Sequence, residues 1–290
     1  MSEIDNNNQV IEVLQPKTKK NKVRKETNVF NKFIVEHQKR DGRFKDDSLP
    51  LPLWGGTERG IPNGLLRSAI FGMVERGKRA HLSNVHLYTA RGTRLRFSGY
   101  ELDQKDCDVF MALLNLVQEQ GSYRAKCSFY GLRKILSVGK GANSTAALKK
   151  SIERLTEAFL VMDTPGFYYC GHLVDSFAYS EKEDTYVARI NPELAVLFND
   201  GYARLRMETR ILLKGDLAKF LHGLVLSHKA PSHKPQTYKL ETIRALSRSN
   251  EKQKRNFKTK IKDGMEQLKK QGIILKWSIS KEDLLSFARP

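Results

Sequence analysis

Side chains able to donate hydrogen bonds to an anion are concentrated near the C-terminus, in residues 251–271. Between positions 251 and 270 there are eight basic residues and three acidic ones. At 3.6 residues per turn, one stripe consists of Phe257, Ile261, Met265 and Leu268, and the opposite side of Lys252, Arg255, Asn256, Thr259 and Glu266. The pattern predicts a helix that packs by one side and offers the other to an anionic partner. A charge run of this kind is also typical of an ordinary solvated helix.

The flanking segments predict how this helix is held. Residues 239–247 place apolar side chains at helical spacing, and the polar break at 248–250 is suited to cap the next helix. Gly272 is suited to end the basic helix, and residues 273–279 are β-branched and aromatic, as in a strand. A helix, a tight turn, a basic helix and a strand indicate a winged helix, whose second helix enters the major groove of DNA.

The same order recurs earlier in the chain. A short helix at 128–136 and a glycine turn at 139–141 precede a helix capped by Asn143 or Ser144. The strands that we expect after it are residues 159–163, 171–179 and 184–190. The sequence therefore predicts an α+β fold with two tandem winged-helix domains, residues 63–190 and 191–290.

Four further elements complete this prediction. Alternating residues at 81–89 and 94–98 indicate a hairpin. The acidic residues Glu101, Asp103, Asp106 and Asp108 stand at the start of a helix to about position 120, where negative charge suits the helix dipole. We expect a linking helix from 191 to 198 and one long helix from 209 to about 229.

Residues 1–62 have the composition of a flexible, disordered basic N-terminal arm. They are polar and carry a cluster of lysines and arginines between positions 17 and 25. Near the end of the arm, Leu51, Leu53 and Trp54 form a short apolar segment broken by prolines. This segment is a candidate docking peptide for a partner protein, and the alternative is a strap packed on the first domain.

The whole-chain charge favours a phosphate-rich partner. The 290 residues have a formal net charge of +19 and a pI near 9.8. No apolar run approaches the ~18 residues that a membrane-spanning helix needs, and the N-terminus lacks the apolar core of a signal peptide. We therefore expect a cytoplasmic protein with no membrane partner.

Residues with catalytic or metal-binding potential do not form a recognisable site. Residues 137–145 contain the letters of a phosphate loop, but in an order that does not fit one. His81 and His86 are five apart in an expected strand, which places them on opposite faces. The three cysteines lack zinc-finger spacing. We expect no enzyme activity, no metal and no cofactor.

Several blocks of the sequence resemble the TrfA family of plasmid replication initiators. They are residues 63–71 (NGLLRSAIF), residues 99–102 with the acidic residues that follow, and the downstream order of helices. The resemblance implies a bacterial, plasmid-associated protein that binds directly repeated origin sites called iterons and opens adjacent A·T-rich DNA. It also implies contacts with the host initiator and helicase, and a balance between monomer and dimer.

The family's DNA contacts transfer to two helices of this sequence. By helical phase, Lys252, Arg255, Asn256 and Thr259 are expected nearest the base edges. The residues expected at phosphates are Lys254, Lys258 and Lys262. The first domain is expected to contribute Asn143, Lys150 and Arg154. The family's sliding-clamp peptide, Gln-Leu-x-Leu-Phe, has its nearest match in residues 50–54, where proline replaces the glutamine.

A transcriptional repressor or plasmid copy-control protein is the main alternative, because two winged domains and a basic surface suit either role. Tandem repeats in the bound DNA favour an initiator, and a single inverted repeat favours a repressor. RNA binding is less favoured, because it usually needs aromatic residues among the basic ones. The basic helix has one aromatic residue, Phe257, and it lies on the packing side.

Overall fold

The computed structural model describes residues 51–290 except positions 76, 91, 140, 181, 183 and 184. The basic cluster predicted between positions 17 and 25 lies outside the described residues. The described chain combines helices and strands around two hydrophobic clusters. One cluster runs from Leu51 to Met207 and defines the first unit; the other runs from Leu213 to Phe287 and defines the second unit. The cores thus divide after β11, later than the boundary expected at residue 190.

The first unit contains eleven strands, four helices and one 3-10 helix among its described residues. In chain order these are β1 (Glu58–Pro62), α1 (Asn63–Leu66), β2 (Phe71–Gly72), β3 (His81–Leu87), β4 (Arg94–Tyr100), β5 (Leu102–Asp103), α2 (Gln104–Gln120), β6 (Arg124–Cys127), α3 (Phe129–Leu136), α4 (Ala142–Glu157), β7 (Phe159–Asp163), β8 (Tyr168–His172), β9 (Val174–Ser180), β10 (Thr185–Ile190), the 3-10 helix (Pro192–Asp200) and β11 (Tyr202–Arg206). Strand β11 returns to pair antiparallel with β1. The first and last strands of this unit, among its described residues, therefore lie side by side in one sheet.

The second unit is shorter and follows α5 (Met207–Leu212). Its elements are α6 (Asp216–Leu226), β12 (Gln236–Lys239), α7 (Leu240–Ser247), α8 (Lys254–Lys270), β13 (Lys276–Ile279) and β14 (Leu284–Ala288). The long helix expected from 209 to 229 is wrong, because α5 and α6 are separated at Leu213–Gly215. Gly215 has φ +86°, which a continuous α-helix does not accommodate.

Both units repeat one order of elements. In the first unit the order is α2, β6, α3, α4, β9 and β10, and its sheet has the order β6-β10-β9. In the second unit the order is α6, β12, α7, α8, β13 and β14, and its sheet has the order β12-β14-β13. Each unit therefore presents two consecutive helices before a strand pair, the arrangement on which the prediction of two winged-helix domains depends.

The first unit carries an insertion that the sequence did not reveal. Strands β7 and β8 stand between α4 and β9, and they pair with the β3–β4 hairpin in a sheet of order β3-β4-β7-β8. The strand expected at 159–163 is present but belongs to this sheet, and the strand expected at 171–179 is divided between β8 and β9. The expected hairpin at 81–98 is confirmed as β3 and β4.

The segment before β1 packs against the first unit as a strap. Trp54 is buried, stacks on Phe198 with ring centroids 6.1 Å apart, and donates from Nε1 to Asn115 Oδ1 at 3.0 Å. Leu51 is also buried, whereas Leu53 is 70% exposed. The expectation of a free docking peptide with Leu51, Leu53 and Trp54 available together is therefore wrong, because two of the three side chains belong to the core.

Candidate nucleic-acid interface

Helix α8 is held by its apolar stripe against the rest of the second unit. Phe257, Ile261, Met265 and Leu268 are all buried, as the sequence periodicity predicts. Gly264 also faces α6, where a Cβ atom in its place would lie 2.8 Å from the Leu221 side chain. This close contact fixes the rotation of α8 about its axis, so its opposite face is the one turned to solvent.

The solvent face of α8 carries most of the residues expected to bind DNA. The exposed side chains of the helix include those of Lys254, Arg255, Asn256, Thr259 and Lys262. Within the described part of the chain, Arg255 and Lys262 form no ion pair. Lys252 is exposed too, but α8 begins at Lys254, so the expected start at residue 251 is wrong and Lys252 lies in the preceding loop. The face thus combines donors suited to base edges with cations suited to phosphates.

Two lysines of α8 already have an anionic partner in the protein. Lys254 Nζ lies 2.5 Å from one oxygen of Asp283, and Lys258 Nζ lies 2.8 Å from the other. The hydrogen bonds from these lysines hold the pKa of Asp283 below its ordinary value. Asp283 stands in the turn between β13 and β14, so the pair ties this turn to the start of α8. A DNA phosphate at either lysine would compete with this carboxylate.

The β13–β14 turn adds to the cations of α8 one lysine that was not predicted from the sequence. Lys281 is exposed at the turn, two positions before Asp283. No local sequence signal identifies either residue, because their relation to α8 depends on the antiparallel pairing of β13 with β14. The turn, the helix and the loop before the helix together form one basic surface, which we call the α8 surface: Lys252, Lys254, Arg255, Asn256, Lys258, Thr259, Lys262 and Lys281.

Two of the acidic residues near this surface have partners within the protein. Glu251 accepts from Lys260 Nζ at 2.7 Å, and Glu266 accepts from Trp277 Nε1 at 2.9 Å. The hydrogen bond from Lys260 holds the pKa of Glu251 below its ordinary value. The ion pair with Lys260 offsets the negative charge of Glu251, which favours the approach of a polyanion.

In the first unit, α4 occupies the place that α8 has in the second. Asn143 and Lys150 are exposed on it, as expected. Gly141 stands at its N-cap position without a side-chain hydrogen bond, so the cap expected from Asn143 or Ser144 is wrong. Both of those residues belong to the first turn.

Arg154, also on α4, was expected to face solvent, but it does not. Its guanidinium donates from Nη2 to Asp106 Oδ1 at 2.6 Å and from Nε to Asp106 Oδ2 at 3.2 Å. Asp106 is fully buried, and a buried carboxylate needs such a partner. The assignment of Arg154 to DNA is therefore corrected: its side chain, 18% exposed, holds α4 to α2.

The residues that the structure places contain no group of three or more His, Cys, Asp or Glu side chains arranged to hold a metal ion. Over the same part of the chain, none of the helices has both the length and the apolar character needed to span a membrane.

Comparison with known proteins agrees with the fold. Among solved structures, the Pi initiator protein in complex with iteron DNA aligns with a TM-score of 0.53 and 12% identity, over 81% of this chain and 97% of that chain. Selenomethionine derivatives of domains 2 and 3 of RctB align with a TM-score of 0.52 and 9% identity, over 75% of this chain and 94% of that chain. These likenesses show a shared fold. No curated protein matches the sequence significantly.

The family comparison extends over nearly the whole sequence. The family model described as TrfA protein matches residues 19–289, which include both units and most of the segment before them. The match agrees with the blocks at residues 63–71 and 99–102 that carry the resemblance in the sequence. The chain therefore belongs to the TrfA family of plasmid replication initiators.

Proposed function

We propose that this protein starts plasmid replication by binding iteron repeats at the origin through two winged-helix domains, one in each unit. Helix α8 enters the major groove, and α4 makes a second contact through Asn143 and Lys150. The observation that carries the proposal is the α8 surface, where an exposed row of donors lies opposite a fully packed apolar stripe. Such a helix presents side chains to base edges while the unit behind it stays rigid.

Each group on the α8 surface has a role that its chemistry supports. The Arg255 guanidinium is suited to a guanine edge and the Asn256 amide to an adenine edge. Thr259, one turn after Arg255, donates to the Arg255 carbonyl at 3.1 Å and keeps its methyl group available for a thymine methyl. The lysines of the surface bind phosphates and set the position of the helix on the duplex.

Opening of the adjacent A·T-rich DNA follows, in this proposal, from binding and distortion of the duplex. Host replication proteins, an initiator and a helicase, supply the strand separation that needs energy. Membership of the TrfA family supports this assignment. So does the shared fold with the Pi initiator protein, which is described in complex with iteron DNA.

The test is selection of bound DNA from a random pool, followed by sequencing. We expect enrichment of a nonpalindromic site that also binds as tandem copies. Arg255→Ala is expected to weaken binding to that site by about 1–3 kcal/mol and to relax the preference at one position. The control is Arg204→Ala, which removes the same charge from an exposed position on β11.

The outcomes separate the candidate functions. Enrichment of one inverted repeat would indicate the repressor or copy-control alternative. Binding without enrichment that disappears at moderate salt would contradict both sequence-specific functions, because a purely electrostatic surface behaves in that way. Equal losses in Arg255→Ala and Arg204→Ala would show that α8 does not read the bases.

A further inference from the structure

A short acidic segment of the first unit contacts arginines from four different parts of the chain. The acidic segment is residues 101–108, which include Glu101, Asp103, Asp106 and Asp108. Its ion pairs are Glu101 with Arg248, Asp103 with Arg79, Asp106 with Arg79 and Arg154, and Asp108 with Arg210 and Lys219. The sequence predicts these carboxylates at the start of α2, where they suit the helix dipole, and the structure adds at least one ion pair for each of them.

One of these contacts fixes α4, the helix that we propose contacts DNA in the first unit. Asp106 accepts from both Arg154 and Ser151 of α4, the latter through Oγ at 2.5 Å. Asp106 also accepts from the backbone N–H of Asp103, so its position on α2 is itself determined. Helix α4 is therefore held at two successive turns by a single buried carboxylate.

A second contact involves the turn that leads into α8, the helix that we propose enters the major groove. Arg248 follows α7 in the left-handed conformation, with φ +51°. Its guanidinium donates from Nη2 to the Leu102 carbonyl at 2.7 Å and lies 3.2 Å from Glu101 Oε1. Beside it, Met73 N–H donates to the Ser247 carbonyl at 2.7 Å. The turn between α7 and α8 is thus attached to the first unit.

The first unit is shaped to admit this arginine. A Cβ atom added at Gly72 of β2 would lie 2.2 Å from Arg248 Nε, so glycine at this position leaves room for the Arg248 side chain where it lies. The Arg248 side chain is 15% exposed, so salt screens its ion pair with Glu101 only weakly.

A third contact holds α5 and the first helix of the second unit. Arg210, on α5, is fully buried, forms an ion pair with Asp108, and donates from Nη2 to Gln104 Oε1 at 2.8 Å. Lys219, on α6, lies 2.7 Å from the other oxygen of Asp108. The acidic segment therefore contacts α5, the first helix of the second unit and the turn before α8.

We propose that the acidic segment is a positioning element that fixes the separation and rotation of α4 relative to α8, with Arg248 as its link to the second reading helix. The inference rests on the proposed function, because it concerns how two DNA contacts are kept in phase. One inserted base pair shifts one contact by about 3.4 Å and rotates it by about 34° around the duplex. A rigid pair of helices cannot follow that change, whereas loosely joined units can.

The experiment compares two substitutions that loosen the link from opposite sides. Arg248→Asn removes the guanidinium and keeps a residue that tolerates φ +51°. Gly72→Ala leaves the second unit unchanged and displaces the Arg248 side chain. The control is Arg204→Ala, which removes an arginine from an exposed position. Urea unfolding of each variant verifies that it is folded before the other measurements.

The first readout needs no DNA. Spin labels on the exposed Cys170 of β8 and on Lys269→Cys in the last turn of α8, in a Cys127→Ser background, report the distance between the units. We expect one narrow distance distribution in the unsubstituted protein and in Arg204→Ala, and a broad one in Arg248→Asn and Gly72→Ala. A narrow, unchanged distribution in both test variants would overturn the proposal.

The second readout is affinity for the selected site with one or two base pairs inserted between the segments protected by the two units. The unsubstituted protein is expected to lose about tenfold or more in affinity, since a misplaced contact costs as much as a mismatched base. The affinity of Arg248→Asn is expected to fall by less than about threefold on the same insertion, because its two DNA contacts are less strongly coupled. An equal loss in both proteins would overturn the positioning role. If no specific site is found at all, the proposed function fails, while the label distances still decide whether Arg248 joins the units.

Discussion

Arg154 and Asp106 form a two-point contact in which two guanidinium nitrogens meet both carboxylate oxygens, at 2.6 and 3.2 Å. Asp106 has no exposed surface, and Arg79 approaches it from another side at 3.0 Å. Paired arginine and carboxylate groups of this geometry are strong and directional, and removing one partner leaves the other charge buried. The stability of the first unit should therefore depend on this carboxylate.

Asp106→Asn is expected to lower the free energy of unfolding by about 3–5 kcal/mol, because it leaves two arginines without their shared anion. Urea denaturation measures the change. The control is Asp163→Asn, whose partner Arg94 is 78% exposed, and its expected change is within about 1 kcal/mol. Equal changes in the two variants would contradict this account.

The strap offers a comparison between neighbouring residues. Trp54→Ala removes a buried ring and its hydrogen bond to Asn115, and we expect a loss of about 3–5 kcal/mol in unfolding free energy. Leu53→Ala, at an exposed position, is expected to change stability by less than about 0.5 kcal/mol. Thermal or urea unfolding distinguishes the two. If Trp54→Ala were as mild as Leu53→Ala, the strap would not be part of the core.

Asp283→Asn is expected to strengthen binding to random DNA and to steepen its dependence on salt. Asparagine tolerates φ +57° at this turn, so the backbone is preserved while Lys254 and Lys258 lose their carboxylate partner. Each lysine that becomes available to a phosphate adds about 0.9 to the slope of log affinity against log salt. Fluorescence anisotropy at several salt concentrations measures this slope. An unchanged slope would show that these two lysines do not approach DNA.

Because His222 is buried, we expect the folded protein to lose stability in mild acid. Burial, together with the positive charges of Arg210, Arg289 and Lys219, holds the pKa of His222 well below 6.5. The unfolded chain therefore binds a proton near pH 6.5 while the folded chain does not, so stability is present above that pH and is lost as the pH falls below it. The slope from this residue is at most about 1.4 kcal/mol per pH unit.

Urea unfolding of His222→Gln between pH 5 and 7.5 tests this expectation. The variant should show a smaller decrease in stability below pH 6.5 than the unsubstituted protein. The same substitution at the exposed His86 serves as the control, and it should leave the decrease unchanged. A decrease of full size in His222→Gln would assign the acid sensitivity to other groups.

The sequence predicted those parts of the structure that local periodicity determines. The apolar stripe of α8 is correct at Phe257, Ile261, Met265 and Leu268, and the helix begins within three residues of the expected start. The polar residues of its opposite face are exposed for the same reason. Helical phase requires no knowledge of distant contacts, so it can be read from one segment alone.

Long-range contacts explain what the sequence reading missed. Arg154 has the same helical phase as a solvent residue, and only the packing of α4 on α2 brings it to Asp106. Similarly, β7 has the residues of a winged-helix strand, but its pairing with β4 places it in another sheet. The strap was one of two open alternatives, because its burial depends on Phe198 and Asn115.

The pairing of β1 with β11 has a consequence for the order in which the chain folds. Glu58 pairs with Arg206, so the sheet that closes the first unit joins its two ends, whereas the second unit forms its sheet within Gln236–Ala288. Pairing between distant segments is slow, and on the ribosome it waits for the later strand to emerge. We therefore expect the first unit, although synthesised earlier, to complete its fold only as the chain enters the second.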